Sequence, residues 1–437
     1  MPGATVIGGG LAGCEAALQL ARRGIETTLI EMRPTVPTPA HRTGQLAELV
    51  CSNSLKSDDP LTASGILKAE LRLLGCRLLE IAGRCSVPAG HALAVDREIF
   101  ADAVGAAVDA EPLIAVRRSE QTDLELTGCV IVATGPLTSG ALCRAIEEHL
   151  GADSLYFYDA ISISIDTEGI EHGAAFGASR YGRGGEDYLN IPLNREEYLR
   201  LVDFLSSART VEPRGFESSL CFEACLPVEI IASRGEDALR YGPLKPKGLP
   251  DPRTGTEPWA VLQLRREKAD GSMYGLVGFQ TRLTRPEQRR LLELVPGLGG
   301  AEILRWGAIH RNTFIDSPRL LDERQMSRRR DGLFFAGQLT GVEGYVESIA
   351  HGLLAGISAA CLLEGAQAPL QPADTMTGGL RRSLCRSEGR FQPMNANFGL
   401  LPPARGGRAA RRAAKAERAI SSMERFVKEH PSLFPGV

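Results

Sequence analysis

Gly8-Gly9-Gly10-Leu11-Ala12-Gly13 constrains this chain more than any other stretch. It follows Ala4-Thr5-Val6-Ile7, which reads as a buried strand. The segment after it, to about Arg23, places Cys14, Ala17, Leu18 and Ala21 on one helical face. Thr27 to Glu31 reads as a second strand, so the opening is a βαβ unit with the glycines at its first turn. In such a unit Gly8 suits the tight turn. Gly10 lets backbone approach a pyrophosphate, and Gly13 lets the helix pack close to the strand. The helix N-terminus adds unpaired N–H groups and partial positive charge. Glu31 ends the second strand, where a carboxylate accepts the two hydroxyls of an adenosine ribose. The six residues and Glu31 together predict a dinucleotide site.

Two later segments belong to the same unit. Cys129 to Gly135 reads as a strand ending in Ala133-Thr134-Gly135. Asp331 to Gln338 reads as a strand and glycine turn, with Gly341 and Gly344 next and a helix from about Tyr345 to Glu364. Their spread implies an α/β Rossmann domain that is discontinuous in sequence. Its parts are residues 1–155 and 306–368, with an α+β insertion at 156–305 and a helical tail at 369–437. The insertion carries a helix at Asn194 to Ser206, with Asn194 as N-cap and Glu197 completing a capping box. Trp259 to Leu264 and Tyr274 to Phe279 read as strands within it. A length of 437 residues fits two or three domains, or one domain with large insertions.

With 43% apolar and 24% charged residues, the composition excludes wholesale disorder. No uncharged run is free enough of Gly and Pro to read as a membrane span, and no basic leader precedes the first strand. A cytoplasmic protein is the expectation. The net charge of −3 excludes a global nucleic-acid footprint. Residues 381–429, however, hold twelve Lys and Arg against four Asp and Glu. A basic amphipathic helix is expected at Arg405 to His430, with Ala409, Ala413, Ala416 and Ile420 opposite Arg408, Arg411, Arg412, Lys415 and Arg418. Those arginines and Arg328-Arg329-Arg330 are candidate phosphate contacts. The ten cysteines form no CxxC pair and no cluster at metal spacing, so no metal site is expected.

Longer stretches are more specific. His41 to Ser57 (HRTGQLAELVCSNSLKS), Ala178 to Tyr198, Phe222 to Glu229 (FEACLPVE), Gly242 to Pro246 and Gly278 to Thr281 are among them. So are His310 to Leu321, Gly337 to Tyr345 (GQLTGVEGY) and Phe391 to Pro402 (FQPMNANFGLLP). Together they resemble the folate- and FAD-dependent tRNA (uracil-54-C5) methyltransferases, within the glutathione-reductase-like flavoproteins. Ala224, where a glycine is expected, and Leu283 to Gln288 depart from the pattern without removing a chemical group.

The resemblance implies a methyltransferase forming 5-methyluridine at position 54 of the tRNA T-loop. The carbon donor would be 5,10-methylenetetrahydrofolate, with reduced FAD as methylene carrier and reductant and NAD(P)H as electron source. It implies FAD contacts at Gly8 to Gly13, Glu31, Asn53, Ala133, Thr134, Gly135, Gly337, Gln338, Gly344 and Tyr345. Cys225, in a loop before Pro227, is the expected nucleophile toward uracil C6. Cys51, expected at a helix or turn start, is the second thiol and would abstract the C5 proton, the two roles being exchangeable. His351 reads as a satisfied helix histidine. The same chemistry on ribosomal RNA, or a non-catalytic FAD- and RNA-binding module, are the alternatives. A related wobble-uridine flavoprotein is disfavoured, because its architecture is longer.

Overall fold

The period-2 pattern of the opening strand decides the layering. Val6 faces one core with Ile131 and Phe334, while Ile7 faces another with Val130, Val132, Leu333 and Phe335. Strands apolar on both faces need cover on both, as in parallel sheets. The computed structural model describes residues 3–151, 155–182, 184–211, 226–385 and 391–434, with backbone alone at 155–159, 172, 310 and 311. It contains a five-stranded parallel sheet in the order Leu333–Phe335, Cys129–Val132, Ala4–Ile7, Thr27–Glu31, Ile114–Arg118. The strand ends at Ile7, Val132 and Phe335 therefore lie side by side. Gly8, Ala133-Thr134-Gly135 and Gly337 follow them along one edge, where open α/β sheets bind ligands.

One face of this sheet carries the helices Leu11–Ala21 and Tyr345–Leu363. They approach closely because glycine lies at the contact. A Cβ at Gly352 would sit 2.1 Å from the Ala12 carbonyl oxygen, and one at Gly356 2.9 Å from that of Ala16. The Tyr345 helix is the only helix among the described residues long and apolar enough to cross a membrane, and it is core. The other face is covered by the helix Gly140–Leu150 and by Ile315, Leu321 and Leu339.

The insertion centres on a second, mainly antiparallel sheet. Its strand Leu155–Asp166 also reaches toward the half of the molecule that holds the parallel sheet. The first part pairs with Ala308–Phe314, from Leu155 opposite Phe314 to Ile161 opposite Ala308. The last part pairs with Met273–Gln280 and Ile303–Arg305. The expected helix spans Arg195–Ser207, and both halves of the Asn194–Glu197 capping box are present. The expected strands are Ala260–Arg266 and Met273–Gln280. A small antiparallel sheet of Ser54–Ser57, Ala92–Val95 and Ser86–Val87 was not expected, its strands being too short for a periodic signal.

The tail helix spans Arg408–Glu429. Its buried face differs from the expectation. Ala416, Ala419, Met423 and Phe426 enter the main core, while Ala409 and Ala413 are exposed. The alanine-rich first turns offer little apolar area, so burial follows the larger side chains. A preceding helix, Met376–Cys385, is fixed by the buried Glu70 carboxylate, which accepts from the Met376 and Thr377 amides. Burial raises the pKa of Glu70 to about 7.

The glycine contact generates a prediction. Gly352→Ala should destabilise the fold by about 1–3 kcal/mol, because overpacking against backbone outweighs alanine's helix preference. A thermal melt should show the loss, and an unchanged melting temperature would refute the contact.

Candidate active site

The cleft at the strand ends is built by the glycine turn. Gly8 has φ +105°, and a Cβ there would lie 2.6 Å from the Ala133 carbonyl oxygen. A Cβ at Gly13 would meet the Gly8 carbonyl oxygen at 1.8 Å, so the helix comes this close to the turn only because residue 13 is glycine. Gly10, the helix N-cap, is different: nothing lies within 4 Å of its Cβ position, and no side chain caps the helix. Open space before an uncapped N-terminus fits a diphosphate. The cleft has about 980 Å³ of space counted out to its mouth. Gly8, Gly10, Leu11, Ala12, Glu31, Ala133, Thr134, Gly135, Gly337, Gln338 and Tyr345 all line it. Gly9 and Gly13 act behind this surface, and Gly344 is the N-cap of the Tyr345 helix at φ +121°.

Glu31 also holds the turn in place. One carboxylate oxygen accepts the Gly9 amide at 2.8 Å, and the other accepts the backbone and Nε of Arg33, each at 2.9 Å. Burial pushes its pKa up, but the Arg33 hydrogen bonds and charge outweigh this and leave it below the usual glutamate value. The carboxylate is thus held as an anion at the cleft wall.

Of the expected helix or turn start, the structure has the latter kind: Cys51 lies at a bend leading into the strand Ser54–Ser57. Its amide donates to the Tyr345 hydroxyl at 2.8 Å, as does the Ser52 amide at 3.2 Å. Burial pushes the Tyr345 pKa well up, so the phenol stays neutral. Tyr345 therefore both lines the cleft and anchors the thiol segment. The Cys51 Sγ is half-buried and reaches the Ala160 carbonyl at 3.8 Å. Asn53 does not line the cleft. It is fully buried, donating to Val95 and Arg266 carbonyls at 3.0 Å and accepting from Arg265 at 2.8 Å. Its place is a bracket between the flavin-side domain and the insertion, since a buried amide must satisfy all its polar atoms.

Cys225 lies outside the described residues. The helix Val228–Ala232 follows it, and there the buried Glu229 accepts from Thr281 Oγ1 at 2.9 Å and the Arg282 amide at 2.8 Å. His351 is buried, with Nδ1 at 3.0 Å from Thr340 Oγ1, while Nε2 has no hydrogen-bond partner among the described residues. Burial lowers its pKa to about 3. Of the candidate phosphate contacts, Lys415 donates to the Phe398 and Leu401 carbonyls and Arg418 to that of Pro402. Arg412 lies 5.3 Å from the Phe398 ring, and Arg329 donates to the His149 carbonyl. Arg408 and Arg411 are exposed.

Two predictions arise here. Glu31→Ala removes the acceptor of the Gly9 amide and one of the two carboxylate partners of Arg33, leaving only Glu48. Flavin affinity should fall about 10- to 100-fold, from roughly 1.5–3 kcal/mol for a charged hydrogen bond. Titration by flavin fluorescence checks this. For His351 the unfolded chain titrates near the ordinary value of 6.5 and the folded one near 3. Stability from this residue is present above pH 6.5 and is lost as pH falls toward 3. His351→Gln should flatten that limb in pH-dependent denaturant melts, and an unaltered limb would contradict it.

Comparison with known proteins agrees with this geometry. The family described as Glucose inhibited division protein A matches residues 3–367. A methylenetetrahydrofolate–tRNA-(uracil-5-)-methyltransferase TrmFO of Pelobacter propionicus is 51% identical over 97% of this chain and 94% of its own. The Geobacter sulfurreducens protein of that name is 50% identical over 97% and 98%. Among solved structures, Aquifex aeolicus GidA matches all of this chain and 74% of its own, with a TM-score of 0.74 and 16% identity. A likeness at that identity concerns the fold. Taken with the near-complete match to the methyltransferases, the chain belongs to the Glucose inhibited division protein A family and, within it, to the methylenetetrahydrofolate–tRNA-(uracil-5-)-methyltransferases.

Proposed function

We propose that the protein forms 5-methyluridine at position 54 of the tRNA T-loop in the cytoplasm, using 5,10-methylenetetrahydrofolate as carbon donor and NAD(P)H as electron source. The observation that carries the reading is the Tyr345 hydroxyl gripping the Cys51 segment at the wall of a cleft suited to FAD. Near-full-length identity to proteins named for this reaction supports it. Bound FAD supplies a carrier for the one-carbon unit and the hydride equivalent.

Uracil C5 is a weak nucleophile. A thiolate that adds at C6 gives C5 enolate character. We assign that addition to Cys225. Once C5 carries the new carbon, the Cys51 thiolate takes the C5 proton and becomes a thiol. Expulsion of the Cys225 sulfur then restores the ring double bond. Tyr345 keeps Cys51 in place through two backbone hydrogen bonds, and the glycine turn with Glu31 orients the dinucleotide. Uridine 54 lies within the tRNA elbow, so the base must leave its stack at a cost of about a few kcal/mol.

The test is transfer of labelled carbon from methylenetetrahydrofolate, with NADPH, to a tRNA transcript by the flavin-containing protein. Label should appear at the T-loop uridine. Cys225→Ala should abolish transfer while FAD stays bound. Label on a ribosomal RNA fragment instead would select that substrate, and no label on either would leave a binding module.

A further inference from the structure

Residues 49–53 form no regular element, so their polar groups need partners from elsewhere in the chain. Three arginines from distant segments converge on them. Arg305 donates to the Val50 carbonyl at 3.0 Å and the Leu49 carbonyl at 3.4 Å. Arg97 reaches the Leu49 carbonyl at 3.5 Å. Arg265, from the insertion strand Ala260–Arg266, is the most direct. Its Nη2 donates to Ser52 Oγ and its Nε to Asn53 Oδ1, both at 2.8 Å. Those are the two residues immediately after Cys51.

Arg97 is paired with Glu267 at 2.8 Å, and Glu267 also accepts from Ser164 at 2.9 Å. Arg265 and Arg305 spend their hydrogen bonds on neutral acceptors of the 49–53 segment. Burial lowers the Arg265 pKa, and the nearby Glu267 carboxylate foremost opposes this.

We propose that Arg265 is a positioning residue for Cys51. From the insertion it fixes the Ser52–Asn53 segment with a two-pronged hydrogen bond. The thiol is thereby aimed for proton abstraction. An arginine suits the task, since its planar fork makes two fixed bonds. The insertion is then a working part of the flavin-side site. This proposal rests on the methyltransferase reading only for why the aim of Cys51 matters.

The experiment uses the full-length flavin-containing protein, with iodoacetamide as probe. The alkylation rate at the Cys51 peptide is followed by mass spectrometry at fixed pH. Arg265→Met releases the Ser52–Asn53 segment, and alkylation of the half-buried thiol should become about tenfold faster. An unchanged rate, with flavin retained, would overturn the proposal. Arg265→Lys loses the fork. Its kcat for methyl transfer should fall about tenfold at unchanged KM for RNA, as slight misplacement does. An unchanged kcat would overturn the positioning role. Should Arg265→Met lose its flavin, Arg265→Lys alone decides. Absence of methyl transfer in the unsubstituted protein would defeat the proposed function, yet the alkylation rates would still read Arg265.

Discussion

The Tyr345 hydroxyl, by accepting the Cys51 and Ser52 amides, joins two parts of the chain almost three hundred residues apart. Much of the site's geometry hangs on that pair of bonds. Tyr345 opens the helix that packs on the fingerprint helix, and the approach of those two helices is set by Gly352 and Gly356 against Ala12 and Ala16. The glycine turn, the late motif and the thiol segment are thus fixed with respect to one another by backbone contact. Cores packed at crystal-like density transmit position with little slack. A phenol kept neutral by burial is well suited to the anchor, since its hydroxyl accepts both amides without burying a charge.

A second constraint comes from the insertion. The strand Leu155–Asp166 carries the chain out of the flavin-side half and pairs with the returning strand Ala308–Phe314. Arg265, Arg305 and Asn53 then bind the two halves at the Cys51 segment. An irregular stretch with five consecutive residues held by groups from separate elements has lost the freedom that its local sequence would allow. Such pre-organisation is what proton transfer at a defined atom requires.

Where the sequence was legible, the signal was local. Gly8, Gly10 and Gly13 announced their separate tasks because each answers to the conformation and clearance at one backbone position. The capping box at Asn194 and Glu197 was readable for the same reason. Glu31 was singled out by its distance from the glycines and does line the cleft, while its bonds to Gly9 and Arg33 were not legible. Asn53 was misplaced, because an Asn in a recognisable segment gives no clue whether its amide meets a ligand or another strand. The tail helix was correctly located but its buried face was not, since alanines carry too little apolar area to decide orientation. Cys225 remains assigned from its motif alone.

The chain's order of residues by itself determined the βαβ opening, the dinucleotide cleft and the family, because turns, caps and glycine clearances are short-range physics. Only the tertiary structure decided that Tyr345 would hold Cys51, that Asn53 would bridge the halves, and that arginines from the insertion would gather beside the thiol. Those contacts join residues from dozens to hundreds of positions apart. Their energies depend on burial and on charges brought together by folding, and neither quantity exists until the chain has folded.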